Sequence, residues 1–192
     1  MKDTVVLNTP EIYSEILRKS EEIGFTMPSD VFVGSLLRTL ITSKPGGNFL
    51  ELGTGIGLSL SWMIEGMDEE SSLTTIDNDS ELSTIAKSYF GNDPRVKIIC
   101  RDASAWICEH KDQEFDLVFA DAWPGKYSQL DEILSMIKKG GFYIIDDMKQ
   151  QPNWPEGHGD NVEWLISYLE KKEDFTITKQ NWSTGLIIAA RK

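Results

Sequence analysis

The sequence predicts an α/β fold built on a seven-stranded sheet, and three observations carry that reading. Short apolar runs alternate with helix-period segments, a glycine-rich turn closes the first run, and the last two runs are separated by only five residues. Two helices precede the sheet. Thr9 reads as an N-cap with Pro10 at the first helical position, and Ile12, Ile16 and Ile23 recur on one face. The second helix follows Pro28-Ser29-Asp30 and sets Val33, Leu36, Leu37, Leu40 and Ile41 in one stripe, until Lys44-Pro45-Gly46-Gly47 stops it.

Five runs follow: NFLEL (48–52), SLTTI (72–76), VKIIC (96–100), FDLVFA (115–120) and GFYIID (141–146). Each is too short for a helix and is bounded by turn residues, so they read as buried parallel strands. Between them, helical spacing sets Leu82, Ile85, Ala86 and Tyr89 on one face, then Leu130, Ile133, Leu134 and Ile137, then Val162, Leu165, Ile166 and Leu169. FTITK (175–179) and GLIIAA (185–190) leave no room for a crossover helix and must form an antiparallel hairpin. Residues 1–192 read as a single domain, with 1–44 helical and 48–192 forming the sheet.

Composition narrows the function. A chain of 192 residues with 40% apolar content builds a core without disulfides. The charge of −12 repels a phosphate backbone or an anionic membrane, which argues against nucleic acid and membrane as partners. The opening MKDTVVLNTPEIY holds no apolar leader core, and no run reaches the roughly 18 apolar residues of a membrane span. Cys100 and Cys108 lie in apolar-rich segments, which predicts buried thiols in a reducing, cytoplasmic compartment.

The glycine turn lies in FLELGTGIGLSLSWM (49–63), where Gly53, Gly55 and Gly57 separate a strand ending at Leu52 from a helix starting near Leu58. Its GxGxG spacing departs from the GxGxxG of dinucleotide turns: the third glycine comes one residue early, which predicts the loss of a close helix contact. Asp77 ends the second strand, where a carboxylate can accept both hydroxyls of a ribose. Asp102, in CRDASAW, ends the third and can accept from an adenine amino group. All three stand at the C-terminal ends of parallel strands, where open α/β sheets bind ligands.

The ordered set ELGTGIG, TTIDND, CRDAS, FDLVFADAW and GGFYIIDD with its terminal hairpin resembles the class I S-adenosylmethionine-dependent methyltransferases, over about residues 27 to 192. The resemblance implies a Rossmann-like sheet of order 3-2-1-4-5-7-6, strand 7 antiparallel, with helices on both faces. It implies that Glu51, Gly53, Thr54 and Gly55 line the methionine moiety, that Asp77 and Asn78 take the ribose, that Asp102 and Ala103 flank the adenine, and that Asp121 borders the cofactor. Within that family the chain is most similar to the small catechol and caffeoyl-CoA type O-methyltransferases, through TMPSDVFVGSLLRTL (26–40) and the carboxylates Asp121, Asp146 and Asp147.

That likeness implies Mg²⁺ at Asp121, Asp146 and Asp147, oxygen donors of the kind the ion prefers. Two departures accompany it: Asp147 stands where the family has Asn, and Pro124 stands where it has a lysine, with Lys126 two residues on. Candidate groups for taking the acceptor's proton are a metal-bound hydroxyl at Asp121, Lys126, or His158, the last reading first as a surface histidine among glycines. Trp123, Trp154 and Trp182 could wall a flat aromatic acceptor. The expected reaction is methyl transfer to a small-molecule hydroxyl, with a homodimer left open. A NAD-dependent oxidoreductase and a non-catalytic S-adenosylmethionine-binding protein are the alternatives. The DAWP that follows strand 4 is not the Asn-Pro-Pro-Tyr type motif of nucleic-acid methyltransferases.

Overall fold

The structure is a computed structural model that describes residues 5–152 and 154–192, so part of the opening segment read above for a leader lies outside the described residues. Its strands are β1 (Asn48–Leu52), β2 (Ser72–Asp77), β3 (Val96–Cys100), β4 (Phe115–Ala120), β5 (Ile137–Ile145), β6 (Phe175–Gln180) and β7 (Leu186–Arg191). The helices are α1 (Tyr13–Glu22), α2 (Val31–Thr42), α3 (Leu58–Gly66), α4 (Ser80–Phe90), α5 (Ala103–Glu109), α6 (Trp123–Lys126), α7 (Leu130–Ser135) and α8 (His158–Leu169). The sheet order is β3-β2-β1-β4-β5-β7-β6, as expected, with β7 antiparallel to both neighbours. Among the described residues no helix is long and apolar enough to cross a membrane.

The chain divides into two compact units, one formed by the chain up to Gly47 with Gly53–Arg101, the other by Asn48–Leu52 with Asp102–Lys192. In the first, Asp30 caps α2 by accepting from the Phe32 amide at 2.7 Å. Of the stripe that the spacing predicts, Val33, Leu37 and Ile41 are buried, with Gly34 beside them, while Leu36 and Leu40 are half-buried. Gly34 is required there, because a Cβ would stand 2.3 Å from the buried Trp62 ring. The first helix departs from expectation. Pro10 opens a turn, its carbonyl accepting from the Tyr13 amide at 3.0 Å, and Ile12 rather than Thr9 is the N-cap. The later start turns Tyr13, Ile16 and Ser20 inward and leaves Ile23 at the C-cap, 41% exposed.

β2 and β3 pair in parallel from Leu73↔Val96 to Asp77↔Cys100. The buried-thiol expectation fails: Cys100 and Cys108 are both exposed. β3 is the outermost strand, and α5 turns Ala103, Trp106 and Ile107 inward, which leaves position 108 on its outer face.

In the second unit β1, β4 and β5 pair in parallel, and the β6–β7 hairpin completes the edge. Ile137 belongs to β5 and not to a helix, since α7 ends at Ser135. The Lys138–Gly141 segment reads as a break in sequence, but it is absorbed as an irregularity: Phe115 pairs Ile137 while Leu117 pairs Phe142. Gly140, at φ +74°, makes that slip possible.

Candidate active site

In the first unit the glycine turn is held by Asp77. Gly53, Gly55 and Gly57 have φ of +101°, +51° and +99°, left-handed backbone that favours glycine. The Gly55 amide donates to Asp77 Oδ2 at 2.8 Å and the Asp79 amide donates to Oδ1 at 2.9 Å, while Gly53 N–H bonds the Ile76 carbonyl. Thr54 and Thr75 hydroxyls share a buried 2.6 Å bond beneath the turn. Each Asp77 oxygen keeps a second lone pair able to accept a hydroxyl. The early third glycine keeps a close helix contact after all: a Cβ on Gly57 would stand 2.8 Å from Phe90 of α4. Asn78 is exposed.

In the second unit Glu51 is fully buried in β1, opposite Phe119. Asp102 caps α5, its Oδ1 accepting from the Ala105 amide at 2.8 Å, with Ala103 buried behind it. The α5 helix itself escaped the periodicity reading because seven residues show too little of a repeat.

The second unit also gathers Asp121, Lys126, Asp146 and Asp147. Asp121 follows β4, with its amide bonded to the Leu52 carbonyl at 2.9 Å. The segment after it is α6 in extent but a type II turn inside, with Pro124 at φ −61°, ψ 135° and Gly125 at φ +87°, ψ −24°. Gly125 lies against Leu52, where a Cβ would meet Cδ1 at 2.4 Å, and the buried Tyr143 hydroxyl donates to its carbonyl. So pinned, the turn sends Lys126 inward: it is 5% exposed, and its Nζ stands 3.6 Å from Asp121 Oδ1. Asp146 is buried, and its Oδ1 accepts from the Thr184 hydroxyl and the Asp147 amide. Asp147, at φ +60°, accepts from Trp154 Nε1 at 2.8 Å.

Burial pushes the Asp121 carboxyl up to about 7; Lys126 opposes the rise, and the charges of Asp146 and Asp147 add to it. Asp146 is raised for the same first reason, with the Thr184 hydrogen bond opposing.

His158 is no surface residue. It is 6% exposed, ringed by Trp123, Tyr127 and Trp154 with ring centroids 5.5, 5.4 and 4.5 Å away. The expectation failed because flanking glycines signal a loop, whereas the packing comes from Trp154 just before the helix together with Trp123 and Tyr127, more than 30 positions earlier. His158 Nε2 lies 3.3 Å from the Tyr127 hydroxyl, and its buried Nδ1 has no hydrogen-bond partner among the described residues. Burial lowers the imidazole below its ordinary range, and the Tyr127 phenol is pushed up to about 12, again chiefly by burial. Trp182 stands half-buried in the β6–β7 turn. Tyr127, Tyr143 and Thr184 were not legible as site residues; the Pro-Gly pair at 124–125 was the one available signal, since it marks a type II turn that reverses the chain beneath Asp121.

Among known proteins, a family model described as O-methyltransferase matches residues 10–162. The chain belongs to the O-methyltransferase family. A Mycolicibacterium smegmatis protein provisionally named an O-methyltransferase is 36% identical over 118 residues, 59% of this chain and 56% of that protein. The chain thus matches a little over half the length of such relatives. In fold it is similar to the Bacillus cereus O-methyltransferase in complex with S-adenosylhomocysteine (TM-score 0.85, 18% identity, 98% of this chain and 94% of that one). A Streptomyces achromogenes O-methyltransferase in complex with S-adenosylmethionine gives 0.81 at 21% identity, over 98% and 93%.

The family likeness implies two groups, and the residues suit them differently. An open glycine backbone beside an acceptor-only carboxylate fits a nucleoside cofactor with ribose hydroxyls to donate. A divalent ion fits poorly at Asp121, Asp146 and Asp147. Among the described residues no three His, Cys, Asp or Glu side chains converge to hold an ion, and the carboxylates are engaged by Lys126, Thr184 and Trp154.

Proposed function

We propose that the chain transfers the methyl group of S-adenosylmethionine to a hydroxyl of a small-molecule acceptor with a flat aromatic face. The observation that carries the proposal is Asp77 holding the glycine turn from the end of β2 in a chain of this family. Gly53, Thr54, Gly55, Asp77 and Asn78 of the first unit bind the cofactor; a part for Glu51, Asp102, Ala103 and Asp121 of the second rests on the family resemblance alone. When bound, the cofactor supplies an activated sulfonium methyl, so the protein's task is alignment and proton removal. His158, kept neutral by burial, accepts the acceptor's proton, while Lys126 and Asp121 set the charge beside it. Trp123 and Trp154 give the acceptor a flat apolar wall. Two exposed free thiols suit a reducing cytoplasm.

Calorimetry with S-adenosylhomocysteine tests the binding half. Asp77→Ala removes a charged acceptor worth about 1.5–3 kcal/mol, roughly a 10- to 150-fold weaker Kd. Undiminished affinity in a folded variant sinks the assignment, and measurable NAD⁺ binding would favour the oxidoreductase instead. Turnover across phenols and catechols tests the other half, since binding without turnover is the behaviour of a non-catalytic cofactor-binding protein.

A further inference from the structure

A buried lysine is costly unless an anion compensates it, and clustered carboxylates are costly unless a cation sits among them. The ends of β4 and β5 answer both needs with one residue. In the second unit the charges of Asp146 and Asp147 act on the Asp121 carboxyl, and Lys126 Nζ lies 3.6 Å from Asp121 Oδ1 with its side chain only 7% exposed. The carboxylates are otherwise turned to protein donors: Asp146 Oδ1 to the Thr184 hydroxyl and the Asp147 amide, Asp147 Oδ2 to the Trp154 indole at 2.8 Å. A divalent ion would have to displace these bonds and share the space with an ammonium.

We infer that the Lys126 ammonium is the resident cation of these carboxylates, which among the described residues do not assemble a divalent-ion site, and that the chain works without such an ion. The lysine is built in, not incidental. Pro124 and Gly125 form the type II turn that reverses the chain onto the cluster, and Gly125 is locked by Leu52 on one side and by the Tyr143 hydroxyl on its carbonyl. An ammonium carries one charge where Mg²⁺ carries two, so it offsets Asp121 and leaves Asp146 and Asp147 to their protein donors, which suits a site whose acceptor is placed by packing against Trp123 and Trp154. It does not suit a site that grips two oxygens of one acceptor.

The inference rests on the methyltransfer reading only for its consequence in turnover, and the test separates the two. The full chain is titrated by calorimetry with MgCl₂ and with MnCl₂, and its Tm is followed in chelator, in each metal and in NaCl of equal ionic strength. The wild type is expected to give heats of dilution only and the same Tm in all four conditions. A saturable metal isotherm, or a Tm that rises with metal and falls with chelator, overturns the inference. Lys126→Ala is expected to melt lower than wild type and to regain Tm as MnCl₂ is raised, because the uncovered acids then have a use for the ion. A Lys126→Ala protein as stable as wild type also overturns it. Should that variant fail to fold, Lys126→Arg keeps the charge and is expected to fold and ignore metal, and the wild-type titration decides by itself. S-adenosylhomocysteine binding in the same samples reports on the proposed function separately. Where turnover is seen, an unchanged rate in chelator is expected and a loss of more than half overturns the inference.

Discussion

Burial of His158 among Trp123, Tyr127 and Trp154 holds its imidazole below about 6.5, so at neutral pH it carries a free lone pair. A neutral imidazole accepts a proton, and a protonated one cannot. The rate is therefore expected to fall along an acid limb below that value, and His158→Gln should lower kcat by about 10²- to 10⁴-fold and abolish the limb. A variant that keeps both the rate and the acid limb removes His158 from the mechanism and turns attention to Lys126. Asp77 illustrates a different residue-scale point. Its position at a strand end is visible in sequence, but its grip on the Gly55 and Asp79 amides is not, because those bonds depend on how the turn closes over β2.

Among the elements, α6 couples a local sequence signal to the site. Pro-Gly specifies a type II turn by fixing φ at the first position and allowing positive φ at the second. The turn's value lies in where it points Lys126. Gly125→Ala would strain the backbone at φ +87° and push a methyl to within 2.4 Å of Leu52 Cδ1, so about 1–3 kcal/mol of stability should be lost. Urea unfolding measures it, and a variant equal to wild type would show that the turn can relax without disturbing β1. Elsewhere the short apolar runs were legible because they are bounded by turn residues and most are buried, the edge strands β3 and β6 only partly so. The start of α1 and the end of α7 were not, since propensity barely distinguishes a turn from a first or last helical residue. The fate of Ile137 shows why: helical spacing and strand pairing both accommodate it, and only pairing with Phe115 decides.

For the molecule as a whole, the balance of shifted acids sets the pH at which it is most stable. Asp121, at about 7, and Asp146 hold protons more tightly folded than unfolded, where a carboxyl titrates near about 3.9. The contribution of Asp121 is full below about pH 4 and is lost as pH rises through about 7, and that of Asp146 is likewise lost as pH rises. Asp68, Asp93 and Asp131 run the other way, held low chiefly by hydrogen bonds from Ser71, Arg95 and Lys172 respectively. Their contribution is present above about pH 4 and fades as pH falls. Maximal stability is therefore expected at mildly acid pH, and Asp121→Asn should flatten the decline between about pH 5 and 7.5. Urea midpoints across that range test it; an equally steep decline in the variant would mean that Asp121 carries an ordinary carboxyl. The net charge of −12 adds self-repulsion to the same trend.

By itself the sequence determined the strand runs, the closing hairpin, the glycine turn with its acidic companion, and the family. The family is carried by the resemblance of the ordered motifs, and the rest is written in local spacing: short apolar runs between turn residues, a loop too short for a crossover, glycines where backbone must turn. Only the tertiary structure decided what surrounds each chemical group. Lys126 meets Asp121, five residues earlier, because a turn reverses the chain; Asp146 meets Thr184 because β7 lies beside β5; and His158 is buried because an aromatic turn after β4 packs over the start of α8. Burial and charge are properties of neighbours brought from afar, and they fix whether a lysine is a solvated side chain or the cation of a site.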